Sequence, residues 1–207
     1  MGGGAPRLHP HGPPAVAPAA IEPSFPLETQ RLLLRVFEPD DLAALVAIYS
    51  REDVARYLYE DPRDERAIAE LLERKIAGRR VVAEGDWLSA AVVLRGSGEL
   101  VGDLALRWSS AEHRQGELGF VVHPDHQGNG FATEAGAVFL RIAFEEMGLH
   151  RVIGRAEGRN TASVRVLEKL GMRREAHLVE NEFVKGEWQS ELVYAILDRE
   201  WRTRSSP

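Results

Sequence analysis

The chain has 207 residues, of which 44% are hydrophobic and 28% charged, and its formal net charge is −6. This length and composition predict a globular protein with one domain, and the negative charge argues against nucleic-acid or anionic-membrane binding. The absence of cysteine excludes disulfides, thiolate zinc sites and a cysteine nucleophile, and it fits a reducing cytoplasm, where we expect the protein. No apolar run approaches the ~20 residues needed to cross a bilayer.

The first stretch, 1–25, is rich in proline and glycine and has few groups that could join a core. We expect it to be a disordered tail, followed by a single domain over 26–203. The first half of that domain combines one strand with helices, because apolar residues recur there at helical spacing. The predicted elements are a strand at 29–35, a helix opened by Pro39, a short helix from Glu52 and a charged helix at 63–79.

The second half of the domain changes to a pattern of strands. Three strands come first, and two helices and a closing hairpin follow. The predicted strands are 87–94, 100–108, 117–122, 151–156, 175–184 and 188–197. Two helices are predicted in this half. The first follows the glycine-rich turn and contains the apolar run 135–147. The second begins at Asn160 and ends at Gly171, residue types that are typical of the two ends of a helix.

The stretch 123–135 lies between an apolar strand and an apolar helix, and it contains Gly128 and Gly130. Glycine allows a sharp turn and a close approach of another molecule to the backbone. The first N–H groups of a helix are unpaired and carry a partial positive charge. The stretch therefore predicts a phosphate or pyrophosphate site at a helix N-terminus.

Three phosphate-binding patterns compete for this turn. A Walker loop requires Lys after its last glycine, where this chain has Phe131. A dinucleotide fingerprint requires a third glycine where Thr133 stands, although Glu157 could serve as its acidic residue. The third pattern is Gln-x-x-Gly-x-Ala, which the chain meets with Gln127, Gly130 and Ala132.

This third pattern resembles the acyl-CoA pyrophosphate loop of the GCN5-related N-acetyltransferases (GNAT). Further stretches in the right order support the resemblance, and the chain looks most like the ribosomal-protein-alanine N-acetyltransferase branch. They are Glu-Leu-Gly-Phe at 117–120, Asn-Thr-Ala-Ser at 160–163, Glu-Lys-Leu-Gly at 168–171, and Glu182-Phe183 with Tyr194 and Glu200-Trp201. The resemblance implies an α/β (α+β) fold whose central mixed, mostly antiparallel sheet of about seven strands is flanked by helices. It also implies that this sheet splays between the strands at 117–122 and 151–156.

The resemblance further implies that acetyl-CoA is a co-substrate and that no metal is needed. The amides of 129–133 would hold the pyrophosphate, and the edge of strand 118–122 would pair with the pantetheine arm. A backbone amide near Val122 would polarise the thioester carbonyl. Asn160 is a helix cap, a pantetheine contact or both. The residues expected to contact acetyl-CoA are Phe120, Val121, Val122, Gln127, Gly128, Asn129, Gly130, Phe131, Ala132, Thr133, Asn160 and Ser163.

Direct attack on a thioester requires a neutral amine and a proton for the leaving thiolate. Many family members place a Tyr seven residues after the Asn, but here that position is Leu167. In the ribosomal branch the matching proton donor is Ser163 and the matching base is Glu182. Ser163 could instead bond only to backbone in the first helical turn, and Glu182 could be an ordinary strand acid. Glu117 is the rival base.

The leading hypothesis is an acetyl-CoA-dependent N-acetyltransferase that acts on a primary amine, either a protein N-terminus or a small molecule. A non-catalytic acyl-CoA-binding or sensing module is the alternative, and a nucleotide-binding oxidoreductase is a third hypothesis. We expect no nucleic-acid or membrane partner, and a homodimer is left open. A zinc site at His123 and His126 is disfavoured, because no convergent carboxylate pair accompanies the two histidines.

Overall fold

The computed structural model of the protein describes residues 20–205. Its strands are β1 (Leu27–Glu28), β2 (Leu32–Arg35), β3 (Trp87–Leu94), β4 (Leu100–Ser110), β5 (Gln115–Val122), β6 (Arg151–Glu157), β7 (Arg173–Val184) and β8 (Glu187–Leu197). Its α-helices are α1 (Leu42–Tyr49), α2 (Glu52–Ala55), α3 (Glu65–Ala77), α4 (Phe131–Arg141), α5 (Thr161–Lys169) and α6 (Asp198–Ser205). Short 3₁₀ turns cover Pro39–Asp41 and Pro124–His126, and a π-helical turn, Ile142–Glu146, continues α4. No helix in residues 20–205 is long and apolar enough to span a membrane.

All eight strands belong to one sheet, in the spatial order β1-β2-β3-β4-β5-β6-β8-β7. Neighbouring strands are antiparallel except β5 and β6, which are parallel because α4 carries the chain back across the sheet. This confirms the expected mixed, mostly antiparallel sheet, with eight strands instead of about seven. The extra strand is β1, which lies before the strand expected at 29–35. A tight turn from Thr29 to Leu32 separates it from β2, so only 32–35 of the expected stretch is strand.

Each face of the sheet is covered by its own helices. Alternate side chains of the strands point to opposite faces, so two apolar clusters form. The larger cluster joins one face to α4 and α5 and contains Phe139, Leu140 and Leu167. The smaller cluster joins the other face to α1 and α3 and contains Ile48 and Ile68.

The boundary of the predicted tail is wrong, because part of it packs on the body. Residues 1–19 lie outside the described residues. Ile21 and Val81, however, exchange two backbone hydrogen bonds of 2.9 Å, which makes an isolated antiparallel bridge. Phe25 packs against the larger apolar cluster. The segment from Ile21 onward therefore belongs to the folded body.

A buried polar group ties α3 and α1 to the centre of the sheet. Asp103 of β4 accepts a 2.6 Å hydrogen bond from Lys75 Nζ and a 2.7 Å bond from the hydroxyl of Tyr49. All three residues are buried. Burial and the neighbouring carboxylate raise the pKa of Tyr49 well above its ordinary value, so the phenol remains a donor. Because Asp103 lies opposite Val121 of β5, this group supports the strand next to the parallel pair.

Replacing Lys75 with Met would leave the carboxylate of Asp103 buried without its cation. Breaking a buried ion pair from one side costs about 3–5 kcal/mol. Tyr49 still donates to the carboxylate, so we expect the free energy of unfolding to fall by about 3 kcal/mol. Urea denaturation followed by tryptophan fluorescence measures this change.

The matched control is Arg66→Met on the same helix. Arg66 is exposed, and its pair with Glu70 spans 3.7 Å. Exposed pairs of this kind contribute little, so the control should lose less than about 0.5 kcal/mol. Equal losses in the two variants would contradict the role given to the buried group.

Candidate active site

The centre of the site is the place where β5 and β6 part. The two strands pair only at Gln115–Arg151, Gly116–Val152 and Glu117–Ile153. Among the described residues, no strand pairs with 118–122 on that side. The N–H of His123 donates to Val101 on the β4 side. Backbone groups alternate along a strand, so the N–H groups of Val122 and Phe120 point into the gap. The expected splay is therefore confirmed.

The glycine-rich turn leads directly from the gap into α4. Gly128 and Gly130 have φ of 79° and 80°, a left-handed conformation that glycine adopts without a steric cost. Gln127 Nε2 donates to the carbonyl of Val122 (3.1 Å), and Asn129 Nδ2 donates to the carbonyl of His126 (3.1 Å). Both side chains donate to carbonyl groups at the end of β5 and in the turn. The first amides of α4 remain available for an anion.

An arginine from the start of the domain braces this turn, and the sequence analysis missed it. Arg31 donates to the carbonyl of Asn129 (2.9 Å), and its guanidinium lies 4.8 Å from the centre of the Phe131 ring. Glu134 of α4 holds Arg31 in place by accepting from its Nε at 2.7 Å and from its backbone N–H at 2.9 Å. Thr29 adds a 2.5 Å bond to the same carboxylate. No local pattern reveals a brace whose parts lie about a hundred residues apart.

A cavity of about 320 Å³ joins the gap, the turn and the first turns of α5. Eleven of the twelve residues expected to contact acetyl-CoA line it; the exception is Asn129, whose side chain bonds to the turn itself. The hydroxyl of Thr133 is buried at this cavity and has no hydrogen-bond partner within residues 20–205. A buried hydroxyl without a partner is costly, so a polar ligand group at this point fits the site.

The N-terminus of α5 forms the second wall of the cavity. Asn160 caps the helix by accepting a 3.0 Å bond from the N–H of Ser163, and both residues line the cavity. In the described part of the chain the hydroxyl of Ser163 has no partner. Leu167 is 1% exposed and packs against Gly154 of β6. The position of the absent Tyr therefore faces the core in this chain.

The two candidate bases lie outside the cavity, in a charged group on the opposite face of the sheet. Arg155 of β6 pairs with Glu191 at 2.9 Å and with Glu117 at 3.6 Å. Glu182 accepts a hydrogen bond from the hydroxyl of Tyr59. Burial of that hydroxyl and its bond to Glu182 raise the pKa of Tyr59 to about 12, so it stays protonated at neutral pH.

Helix α2 and the segment after it form a third wall, which was not predicted from the sequence. Val54, Tyr57 and Leu58 line the cavity. From the tip of the β7–β8 hairpin, Lys185 Nζ donates to the carbonyls of Ala55 (2.6 Å) and Leu58 (2.9 Å). In the sequence, Lys185 shows only as part of a hairpin turn. In the structure it ties the hairpin to the wall of the cavity.

Two other chemistries expected to compete for this region find little support. The rings of His123 and His126 lie edge to face, and His126 bonds to Glu99 at 2.9 Å. Within residues 20–205 no group of three His, Asp or Glu side chains is arranged to hold a metal ion. A dinucleotide-binding fold requires several parallel strands, whereas among the described strands only β5 and β6 are parallel.

A mixed sheet that parts beside a glycine turn and a helix N-terminus is the arrangement that the resemblance to acyltransferases implies. Comparison with known proteins agrees. Residues 31–173 match the family model described as an acetyltransferase (GNAT) domain. The N-acetyltransferase YnaD of Bacillus subtilis, whose name states no substrate, is 34% identical over 176 residues, covering 84% of this chain and 98% of YnaD.

Solved structures give the same answer. A GNAT-family acetyltransferase from Bacillus anthracis matches with a TM-score of 0.74 and 34% identity, covering 83% of this chain and 98% of that chain. Spermidine N-acetyltransferase from Vibrio cholerae, solved with CoA and spermine, matches with a TM-score of 0.71 and 25% identity, covering 84% and 99%. The chain therefore belongs to the GNAT acetyltransferase family and is an N-acetyltransferase.

Replacing Glu134 with Gln tests the brace at the turn. Burial acts to raise the pKa of Glu134, but hydrogen bonds from Thr29 and Arg31 lower it below its ordinary value. A carboxylate with a lowered pKa stabilises the fold above its unfolded pKa of about 4.3, and this contribution is lost as the pH falls through the folded pKa. At pH 7 the variant should lose about 1.5–3 kcal/mol of unfolding free energy, the usual contribution of hydrogen bonds to a charged group.

Urea denaturation at pH 7 and at a series of lower pH values measures the effect. The difference between wild type and variant should shrink as the pH falls, because protonation of Glu134 removes the charge that the variant lacks. Glu70→Gln on the exposed face of α3 is the control, and it should change little at any pH. A loss for Glu134→Gln that is equal at all pH values would contradict the argument.

Proposed function

We propose that this protein transfers the acetyl group of acetyl-CoA to a primary amine by direct attack in a ternary complex. The observation that carries the proposal is the single cavity shared by the unpaired stretch of β5, the glycine turn and the start of α5. Its parts match the parts of acetyl-CoA. The amides at the start of α4 suit a pyrophosphate, and the free edge of β5 suits the peptide-like amides of pantetheine.

The fit extends to individual atoms. The hydroxyl of Thr133 has no partner among the described residues, and a phosphate oxygen bound at the start of α4 would supply one. The N–H of Val122 points into the gap and would donate to the thioester carbonyl. An amide that already points at this oxygen stabilises the negative charge that develops during attack. These groups bind and polarise the substrate, and proton transfer falls to the groups on either side of the gap.

The chemical step moves one acetyl group and two protons. An alkyl amine with a pKa near 10 is almost wholly protonated at neutral pH. A base must therefore take one proton before attack, and the nitrogen loses a second as the amide forms. The thiolate of CoA leaves and takes up a proton. We assign the base to Glu182 and the donor to Ser163, a residue that lines the cavity.

The position of Glu182 supports its assignment only indirectly. Its partner Tyr59 directly follows the cavity-lining residues Tyr57 and Leu58, so the carboxylate lies beside that wall. Glu117, the rival base, pairs with Arg155, whose closer partner is Glu191. The comparisons do not decide the acceptor. The solved relative from Vibrio cholerae is named for spermidine, whereas the sequence motifs resemble the ribosomal-protein-alanine branch, whose membership does not fix the acceptor. A cytoplasmic location, a homodimer and a single domain stay predictions.

A screen of acceptors tests the proposed function. Spermidine, spermine, free amino acids and a peptide with an N-terminal alanine are each incubated with acetyl-CoA and the full chain. Release of the free thiol is followed with a chromogenic disulfide, and mass spectrometry identifies the acetylated product. Acetyl-CoA that binds and yields no product with any primary amine would overturn the proposal.

Replacing Gly130 with Leu tests the pyrophosphate position. Position 130 has a left-handed backbone and directly precedes α4. A leucine side chain at this position would cover the amides at the start of α4. We expect the affinity for acetyl-CoA to fall by at least about tenfold, or 1.4 kcal/mol. Gly148→Leu is the matched control, because Gly148 is also left-handed (φ 69°) and an added Cβ there meets nothing within 4 Å. Calorimetry should show a loss in the first variant only.

Glu182→Gln and Ser163→Ala test the proton transfers. General acid–base groups contribute about 10²–10⁴-fold to rate, so turnover of an accepted amine should fall strongly in the first variant. Ser163→Ala should lose less, because water can replace a hydroxyl. The affinity for acetyl-CoA should stay within a few-fold in Glu182→Gln, since this carboxylate lies outside the cavity.

Turnover against pH distinguishes the two carboxylates. The acidic limb of the profile should disappear in Glu182→Gln and persist in Glu117→Gln. The opposite result would assign the base to Glu117. An unchanged limb in both variants would indicate a water molecule as the base and would remove both carboxylates from the proton path.

A further inference from the structure

The tip of the β7–β8 hairpin carries a residue that the turn itself does not favour. Val184 and Glu187 pair at the end of the hairpin, so Lys185 and Gly186 form a two-residue turn. Both turn residues have a left-handed backbone, with φ of 52° and 81°. A turn of this kind favours asparagine, aspartate or glycine at its first position, because other side chains strain a left-handed backbone. The turn therefore gives no reason for a lysine at position 185.

The contacts of the Lys185 side chain give such a reason. Its Nζ donates to the carbonyls of Ala55 (2.6 Å) and Leu58 (2.9 Å). Ala55 is the last residue of α2, and carbonyls at the end of a helix lack donors from the following turn. The ammonium therefore caps the end of α2 from a hairpin that lies 130 residues further along the chain.

Helix α2 depends on contacts of this kind for its position. It has only four residues, and a helix of that length is not stable by itself. Val54 of α2, together with Tyr57 and Leu58, forms the third wall of the cavity. The other walls are β5, the glycine turn and α5, which the proposed function assigns to acetyl-CoA. The third wall is therefore the one that remains for the amine.

The hairpin that carries Lys185 also carries Glu182, three residues earlier. Glu182 accepts a hydrogen bond from the hydroxyl of Tyr59, which follows Leu58 in the segment after α2. Two separate contacts therefore join the hairpin to the third wall. If these two parts moved away from each other, the amine site between the wall and the carboxylate would lose its shape.

We propose that Lys185 is a positioning residue for the amine, because it holds the third wall against the hairpin and so keeps the acceptor site ready to bind. The inference rests on the proposed function, since it concerns the acceptor of that reaction. Lys185 acts through the wall and not on the reacting atoms, because two carbonyls occupy its ammonium.

The proposal predicts which kinetic constant changes when the contact is lost. The apparent affinity for a ligand falls with the fraction of the protein in the arrangement that can bind it. Loss of the Lys185 contact lowers that fraction, so the KM for the amine should rise. A saturating amine selects the same arrangement again, so kcat should stay nearly unchanged.

Lys185→Asn tests this prediction. Asparagine is favoured at the first position of this turn, so the hairpin is kept, while its short neutral side chain cannot replace the ammonium. Kinetics use each amine of the acceptor screen that the wild type acetylates, from spermidine to the alanine peptide. The KM for the amine should rise at least about tenfold, as expected for a lost charge-assisted hydrogen bond. The kcat, and the affinity for acetyl-CoA measured by calorimetry, should stay within about threefold.

Two further variants control for charge and for the turn. Lys185→Arg should restore most of the affinity for the amine, because a guanidinium can donate to both carbonyls. Arg114→Asn is the matched control, because Arg114 is also a cation with a left-handed backbone (φ 49°), and it lies in the β4–β5 turn away from the cavity-lining residues. It should keep the wild-type KM. A merely structural role for Lys185 would lower kcat and the acetyl-CoA affinity as well.

Hydrogen exchange of the full chain tests the contact without an amine. The amides of 54–58 should exchange at least about tenfold faster in Lys185→Asn than in the wild type, and at the wild-type rate in Arg114→Asn. Unchanged exchange, an amine KM within about twofold of wild type, or an equal loss of acetyl-CoA affinity would overturn the inference. Failure of the wild type to acetylate every amine of the screen would instead refute the proposed function, so the two failures are distinguishable.

Discussion

The parting of β5 from β6 is the constraint on which the rest of the site depends. Parallel pairing stops at Glu117 and Ile153, and the following backbone groups of β5 face a gap. Backbone groups in a protein interior require partners, so a gap of this kind persists only where a ligand or solvent supplies them. The crossover through α4 then brings a helix N-terminus to the same end of the gap. Strand edge and helix terminus together form one elongated polar surface.

Cations that support the walls of the cavity have partners within the protein, whereas the cations of α5 that line the cavity do not. The turn is braced by Arg31, whose charge is taken up by Glu134. The α2 segment is held by Lys185, whose ammonium is satisfied by two carbonyls. Both cations are occupied and therefore act as supports. The cations on α5 lack such partners among the described residues, and the hydroxyl of Thr133 is likewise unsatisfied. Polar groups that have partners hold the walls of the cavity in place, and those without partners remain available to a ligand.

Structural features that depend on neighbouring residues in the chain were predictable from the sequence. Contacts between residues far apart in the chain were not. The glycine turn, the Asn160 cap and the strands on either side of the gap are local, so eleven of twelve expected contact residues line the cavity. The Arg31 brace, the Lys185 tie and the bond from Tyr59 to Glu182 each join segments that lie far apart in the chain. Ile21 was assigned to a tail for the same reason, because its partner, Val81, is sixty residues away.

The two groups to which we assign the proton transfers are associated with opposite faces of the sheet. Ser163 lies on α5, which packs on the larger apolar cluster. Glu182 bonds to Tyr59 in the segment after α2, which packs on the smaller cluster. Such an arrangement works only if the thioester lies within the gap, where both faces reach it. An amine that enters from the α2 side then meets the base first, and the departing sulfur remains on the side of α5. In the proposed mechanism, the splay of the sheet therefore separates the two proton transfers in space.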